Sequence, residues 1–163
     1  MAFTIRTAEK KDIDRIWELI HELAVFEKEE DAVEVTPSDL LRDGFGVDKR
    51  FHCFVAETKE GIMGMALIFH RYSTWKGPII HLEDLIVSKK ARGSGLGSAL
   101  LHRVVRYGSE LGVKRINWEV LDWNEPAIRF YENNGAKVMR DWNVVQMDEK
   151  GIARFLEAST ALS

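Results

Sequence analysis

Apolar residues recur along this chain with two different periods, and the switches between them divide it into elements. Ile13, Ile16, Trp17, Ile20, Leu23 and Ala24 fall on one face of a helix running from about residue 11 to residue 26. Leu96, Leu100, Leu101, Val104 and Val105 mark a second helix face, extending to about Leu111. Strand-like runs occupy residues 3–6, 51–57, 62–70, 79–87 and 115–120, the second and third joined by a tight turn at Thr58-Lys59-Glu60-Gly61. Thr36-Pro37-Ser38-Asp39 reads as a helix start, with a threonine cap, a proline in the first turn and an acid behind it. Asn124-Glu125-Pro126 opens another helix, which Gly135 ends, and residues 138–139 and 143–147 read as a terminal hairpin. The order β-α-α-β-β-β-α-β-α-β-β departs from strict βαβ alternation and predicts an α/β fold with a mixed sheet. No repeat or linker interrupts it, so residues 1–163 read as a single domain.

Composition narrows the class. With 45% hydrophobic and 30% charged residues the chain has an ordinary globular balance. A formal net charge of −3 weighs against a nucleic-acid partner, and no stretch approaches a membrane span. Cys53 is the only cysteine, so no internal disulfide forms and a reducing, cytoplasmic setting is expected. It sits inside a strand-like run and reads as a buried small hydrophobe rather than a nucleophile.

The most informative stretch is Arg92-Gly93-Ser94-Gly95-Leu96-Gly97, between the 79–87 strand and the helix after it. A glycine-rich turn opening onto a helix exposes unpaired amides at the positive end of the helix dipole, which suits a pyrophosphate. A P-loop would place Lys-Ser/Thr after the last glycine, where Ser98-Ala99 stand. The dinucleotide fingerprint would need a third glycine at Ser98. The spacing Arg-x-x-Gly-x-Gly, filled by Arg92, Gly95 and Gly97, fits neither. A glycine-rich turn without a ligand is the competing reading.

That spacing resembles the coenzyme A pyrophosphate loop of the GCN5-related N-acetyltransferase (GNAT) family. The segment Asn124-Glu125-Pro126-Ala127-Ile128-Arg129-Phe130-Tyr131-Glu132-Asn133-Asn134-Gly135-Ala136 resembles the family's second motif. The resemblance covers nearly the whole chain and implies the family's fold, a mostly antiparallel sheet flanked by helices. It is closest to the spermidine/spermine N-acetyltransferase group, through His21-Glu22-Leu23, Phe26-Glu27, Asp43-Gly44-Phe45-Gly46, Leu82-Glu83-Asp84 and the glycine loop. Where polyamine acetylators resemble Tyr-Asp-Pro-Trp, this chain reads Tyr72-Ser73-Thr74-Trp75. That departure is similar to the thialysine N-epsilon-acetyltransferase type, because a hydroxyl cannot supply the charge that pairs with an internal ammonium. Acetyl-CoA as co-substrate, a small primary amine as acceptor and a homodimer are implied. A polyamine acetyltransferase and a non-catalytic coenzyme A-binding sensor are the alternatives.

The chemistry of amine acetylation then assigns roles. An alkyl ammonium of pKa about 10 must lose a proton before attacking a thioester. Glu83 is the expected acceptor, with a structural acid capping the loop or pairing with Arg92 as its plain reading. Asp84 is expected to alternate to the opposite face, and His81 to share the face of Glu83. Tyr131 is implied as the proton donor to the departing thiolate, and Asn124 as a helix cap that also meets the pantetheine arm. Backbone amides of Leu85 and Val87 are implied as oxyanion and pantetheine partners. Gly93, Ser94, Leu96 and Ser98 complete the cofactor loop, while Glu27, Ser73, Trp75, Glu83 and Asp84 are the expected amine contacts. No metal-ligand spacing and no Ser-His-Asp arrangement is visible, so direct transfer in a ternary complex is expected.

Overall fold

The protein's structure, a computed structural model, describes residues 1–159. Residues 1–121 pack as one compact unit, and the chain from Asp122 onward as a second. In the first unit the order is β1 (Phe3–Thr7), α1 (Ile13–Phe26), α2 (Pro37–Phe45), β2 (His52–Thr58), β3 (Gly61–Ser73), β4 (Gly77–Val87), α3 (Leu96–Glu110) and β5 (Ile116–Asn117). The five strands lie side by side in sequence order, antiparallel except for the parallel β4–β5 pair. The mixed, mostly antiparallel sheet expected from the sequence is therefore observed.

Helices cover both faces of that sheet. On one, Ile13, Ile16 and Leu19 of α1 and Leu40 of α2 pack on Cys53, Val55, Met65, Leu67 and Ile86. On the other, α3 buries Leu96, Leu100, Leu101 and Val104. Cys53 is buried in the first layer as expected, and burial pushes its thiol well above the usual range. The seating of α3 is tight. A Cβ on Gly64 of β3 would stand 2.8 Å from the Ile86 carbonyl oxygen and 3.2 Å from Leu100 Cδ1, so only glycine fits there.

Local signals set the element ends. The Thr36 hydroxyl accepts from the Asp39 amide at 3.2 Å, and the Asp39 carboxylate returns a bond to the Thr36 amide at 3.0 Å. This reciprocal cap, with Pro37 behind it, fixes the start of α2. Between β3 and β4 the sheet runs further than the sequence suggests, to Ser73 and from Gly77. β5 is shorter than the expected 115–120 strand and pairs with β4 only at Ile80 and His81.

The second unit contains α4 (Glu125–Asn133) and α5 (Glu149–Ser159). The terminal hairpin expected at residues 138–139 and 143–147 is absent from the described residues, and α5 follows instead. A strand-like pattern is stable as a strand only beside a neighbour. The helix was signalled by Ile152, Phe155 and Leu156 at helical spacing.

One polar knot ties β1 to the start of α1. Arg6 Nη1 donates to Asp12 Oδ2 at 2.7 Å and Nη2 to Oδ1 at 3.1 Å, while Nε donates to Glu57 Oε2 at 2.8 Å. The Glu9 amide adds a bond to Asp12 at 2.8 Å. Burial pushes the Asp12 carboxyl up, but the Arg6 and Glu9 donors outweigh it and hold it below the usual aspartate value. Asp12→Ala should cost ~2 kcal/mol of stability at pH 7, since it takes two hydrogen bonds from the Arg6 guanidinium and one from the Glu9 amide. A depressed carboxyl stabilises above its unfolded value of about 3.9 and loses that contribution as pH falls through the native value. Urea unfolding of both proteins at pH 7 and below pH 3 should therefore show the difference shrinking in acid.

Candidate active site

β4 organises the candidate site within the first unit. One edge is paired with β3 over its whole length, whereas the other meets β5 only at Ile80 and His81. Beyond them, among the described residues, no strand covers that edge, so alternate backbone groups from Leu82 to Val87 face outward. Leu85 and Val87, two residues apart, present their amides in the same direction. They stand on the strand where the pantetheine and oxyanion partners were expected.

Partway along, β4 carries a bulge. Ile68 faces Leu82 and Leu67 faces Asp84, leaving Glu83 as the extra residue. His81 faces Phe69 and Asp84 faces Leu67, and both lie on the sheet face that α1 covers. Glu83 alternates from His81 to that same face. Asp84 thus does not turn to the opposite face, as simple alternation had placed it. The inserted residue resets the period, and two neighbouring carboxylates share one side. The Asp84 carboxyl is pushed up to about 7, chiefly by burial, then by the charges of Glu83 and Glu27. Glu27, the residue that ends α1, is itself raised by burial and by Glu29 and Glu83. Glu27, Glu83 and Asp84 form one acidic group.

His81 belongs to its margin. Its Nε2 lies 3.5 Å from Glu83 Oε2 and its Nδ1 3.5 Å from Arg71 Nη1, with the ring centroid 4.8 Å from that of Phe69. Burial lowers its pKa although Glu83 opposes the shift, so the imidazole is neutral at pH 7. The Glu83 carboxylate stands beside His81, while Arg92 turns elsewhere.

The glycine loop follows β4 directly. Gly93 and Gly95 have φ of 78° and 86°, and nothing lies within 4 Å of where a Cβ would stand on either. Glycine is thus required by the left-handed backbone rather than by crowding. The Ser94 hydroxyl donates to the Ala91 carbonyl and closes the turn. Gly95 caps α3, whose first intrahelical bond runs from the Ala99 amide to the Gly95 carbonyl. The amides of Leu96, Gly97 and Ser98 therefore have no helical acceptor and point off the helix end. Arg92 reaches Val87 O at 3.4 Å, and its guanidinium lies 5.0 Å from the Phe26 ring centroid. Sequence reasoning missed this role of Phe26, which entered only as part of the Phe26-Glu27 resemblance.

Ser73 and Trp75 are not brought to the acids. Ser73 Oγ accepts from the amides of Trp75 and Lys76, each at 3.2 Å, and pins the β3–β4 turn. Trp75 is 78% exposed at that tip. Glu83 lies six positions along β4 from Gly77, roughly 20 Å at about 3.3 Å per residue. A separate cleft of about 500 Å³, lined by Lys11, Asp12, Arg15, Glu22 and Lys90 among others, contains none of the three acids.

In the second unit, Asn124 Oδ1 accepts from the Ala127 amide at 3.3 Å and caps α4, with Pro126 in its first turn. Ile128 is buried, while Tyr131 is half-buried with its ring 5.4 Å from that of Phe130. The helix closes as the Ala136 amide bonds the Tyr131 carbonyl across Gly135, whose φ is 89°. Among the described residues no group of three or more His, Cys, Asp or Glu could hold a metal ion, and no helix is long and apolar enough to cross a membrane.

Comparison with known proteins agrees with this architecture. A thialysine N-epsilon-acetyltransferase of Bos taurus is 38% identical over 146 residues, covering 84% of this chain and 86% of its own. A spermidine/spermine N(1)-acetyltransferase-like protein 1 of Homo sapiens is 36% identical over 141 residues, 82% of this chain and 20% of its own. An integron cassette protein from the mobile metagenome of V. cholerae shares the fold, with a TM-score of 0.78 at 21% identity over 96% of this chain and 99% of that one. The model of the acetyltransferase (GNAT) family matches residues 13–136. This protein is a GNAT-family N-acetyltransferase.

Proposed function

We propose that the protein transfers the acetyl group of acetyl-CoA to the primary amine of a small basic molecule, with a lysine-like acceptor such as thialysine favoured. The observation that carries this reading is the placement on β4 of two carboxylates, Glu83 and Asp84, that suit an ammonium, followed beyond the end of that strand by a loop of free amides that suits a pyrophosphate. In this scheme the amides of Leu96, Gly97 and Ser98 take the pyrophosphate oxygens, with Arg92, Gly93, Ser94 and Gly95 shaping the cradle. Main-chain groups of Leu85 and Val87 meet the pantetheine arm and the tetrahedral oxyanion, and Asn124 adds a polar contact to the arm. Tyr131 donates a proton to the thiolate. A carboxylate of the β4 bulge takes the amine proton, and transfer is direct, within a ternary complex. A homodimer and a cytoplasmic setting belong to the same reading, the latter suited by a lone, buried Cys53.

Two features bear on the amine. The Ser73 hydroxyl is occupied by two backbone amides and carries no charge, so it offers nothing to an internal ammonium. Relatives named for thialysine acetylation match most of this chain. The acidic group of Glu27, Glu83 and Asp84 favours a second reading, a polyamine acceptor whose charges it would hold.

Three measurements test the scheme. Gly95→Val forces a β-branched residue into a left-handed position, costing about 1–2 kcal/mol locally, and should raise the KM for acetyl-CoA ~10-fold or more. Calorimetric coenzyme A affinity equal to wild type would remove the loop from the cofactor site. Tyr131→Phe should lower kcat by about 10²-fold with little change in the amine KM. An unaltered kcat would leave Tyr131 as a packing residue. Thiol-release assays across amines should give thialysine a kcat/KM at least ~10²-fold above spermidine, the cost of an unpaired, desolvated ammonium. Spermidine outperforming every amino acid would establish the polyamine reading instead.

A further inference from the structure

Arg6 and Arg103 are both partly enclosed, yet the fold treats them differently. Arg6 meets the carboxylates of Asp12 and Glu57. Arg103, on α3, has no ion pair with a carboxylate among the described residues, and its Nη1 is shut off from solvent with no acceptor. Its guanidinium lies 4.4 Å from the Phe54 ring centroid and 6.0 Å from that of Tyr107, one helical turn further on. Ring contact steadies the cation but gives its N–H groups no oxygen to bond. A desolvated donor in that position is costly, and an acceptor brought from outside the chain relieves the cost.

The neighbours add charge of the same sign. His52 and Phe54 alternate on β2 to the face that α3 covers, and His70 of β3 lies two residues past Ile68, the partner of His52. The His52 ring stacks on that of Tyr107 at 5.4 Å with 6° between the planes. His70 Nε2 lies 3.3 Å from the Tyr107 hydroxyl. The charges that bear on His52 are those of Arg103, Lys49 and His70, and no acid is among them. Asp48, the acid nearest in sequence, is held by Arg50 at 2.6 Å. A cluster of one sign is an exception in a chain of net charge −3. It also stands apart from the glycine loop. His70 faces Ile80 on β4, and Val87 lies seven positions further along that strand, roughly 23 Å at about 3.3 Å per residue.

We propose that Arg103, His52 and His70 form a second anion site, remote from the glycine loop, for a small doubly charged oxyanion, the chemistry that phosphomonoesters and dicarboxylates share. The guanidinium offers paired N–H donors and a permanent charge. Lys49 adds attraction at longer range, and the two imidazoles add donors that gain charge as pH falls. Burial, then the surrounding cations, hold the His52 imidazole below its ordinary pKa, so it is neutral at pH 7. A bound dianion opposes those cations and raises it. By linkage the anion binds more tightly where the imidazole protonates, and affinity rises as pH falls. Nothing in this site depends on the acetyltransferase scheme above.

Sulfate, whose charge is constant between pH 6 and pH 8, is the probe. Calorimetry uses the full chain, with coenzyme A in excess to fill the glycine loop. Saturable binding with a Kd of roughly 1 mM or tighter is expected at pH 6, weakening ~5-fold or more at pH 8. Carbon-13 spectra of the histidine rings should show His52 and His70 shifting along the same isotherm, with the His52 midpoint moving up. Arg103→Met keeps an apolar stem over Phe54 but removes the fork, and should weaken sulfate ~10-fold or more while coenzyme A affinity stays at the wild-type value. Arg103→Lys, which keeps the charge without the fork, should fall between the two. Glycerol 3-phosphate and succinate then distinguish the sources. Displacement of sulfate by the first alone marks a phosphomonoester site, and by the second alone a dicarboxylate site. Sulfate that neither displaces is an adventitious ion only and overturns the assignment. So does an absence of saturable binding at pH 6, or binding that Arg103→Met leaves unchanged.

Discussion

β4 is hydrogen-bonded along one edge and only briefly along the other, and the candidate chemistry depends on that asymmetry. A fully paired strand would have no main-chain groups to offer a ligand, and an unpaired one would not hold its place in the sheet. β3 supplies the rigidity, from Gly64 opposite Val87 to Ser73 opposite Gly77. β5 touches β4 at two residues and then leaves the edge open. At one end of this open stretch lies the acidic bulge, and at the other the amide-lined start of α3. A single element therefore fixes the spacing between a place for positive charge and a place for negative charge.

Two aspartates show how the fold distributes the cost of burying charge. Asp12 is enclosed but receives donors from Arg6 and from the Glu9 amide, which hold its carboxyl below the usual aspartate value. Asp84 is partly enclosed among other acids, and its carboxyl is raised. The first arrangement holds elements together. The second is a strain that the apolar layer around Leu67 and Ile86 must offset.

Most of the scaffold was legible in the sequence because its helices and strands bury one face each. The period of Ile13, Ile16 and Ile20 and the Thr36-Pro37 cap carried α1 and α2 without ambiguity. The glycine loop was legible through spacing, and its left-handed positions at 93 and 95 follow from residue type. The side of the sheet that Asp84 occupies was not. A bulge is set by how two strands register, and alternation counted along one strand cannot see an inserted residue. The hairpin expected near Asn143 failed for a related reason, since strand patterns in a sequence do not reveal whether a neighbour is at hand. Ser73 was identified by its place in a motif, but its hydroxyl is committed to the amides of its own turn.

Gly64 carries no chemistry, yet it governs an alignment. Its missing side chain lets Leu100 of α3 and the Ile86 carbonyl close on the same point of β3. The direction in which the Leu96, Gly97 and Ser98 amides aim is thereby locked to the strand bearing Glu83 and Asp84. A single methyl group there would act as a shim, prising the helix off the sheet and turning its first turn away from the acids. Loss of ligand affinity would then trace to a residue that no ligand touches, and drift at this position would register as lost function before it registered as lost folding.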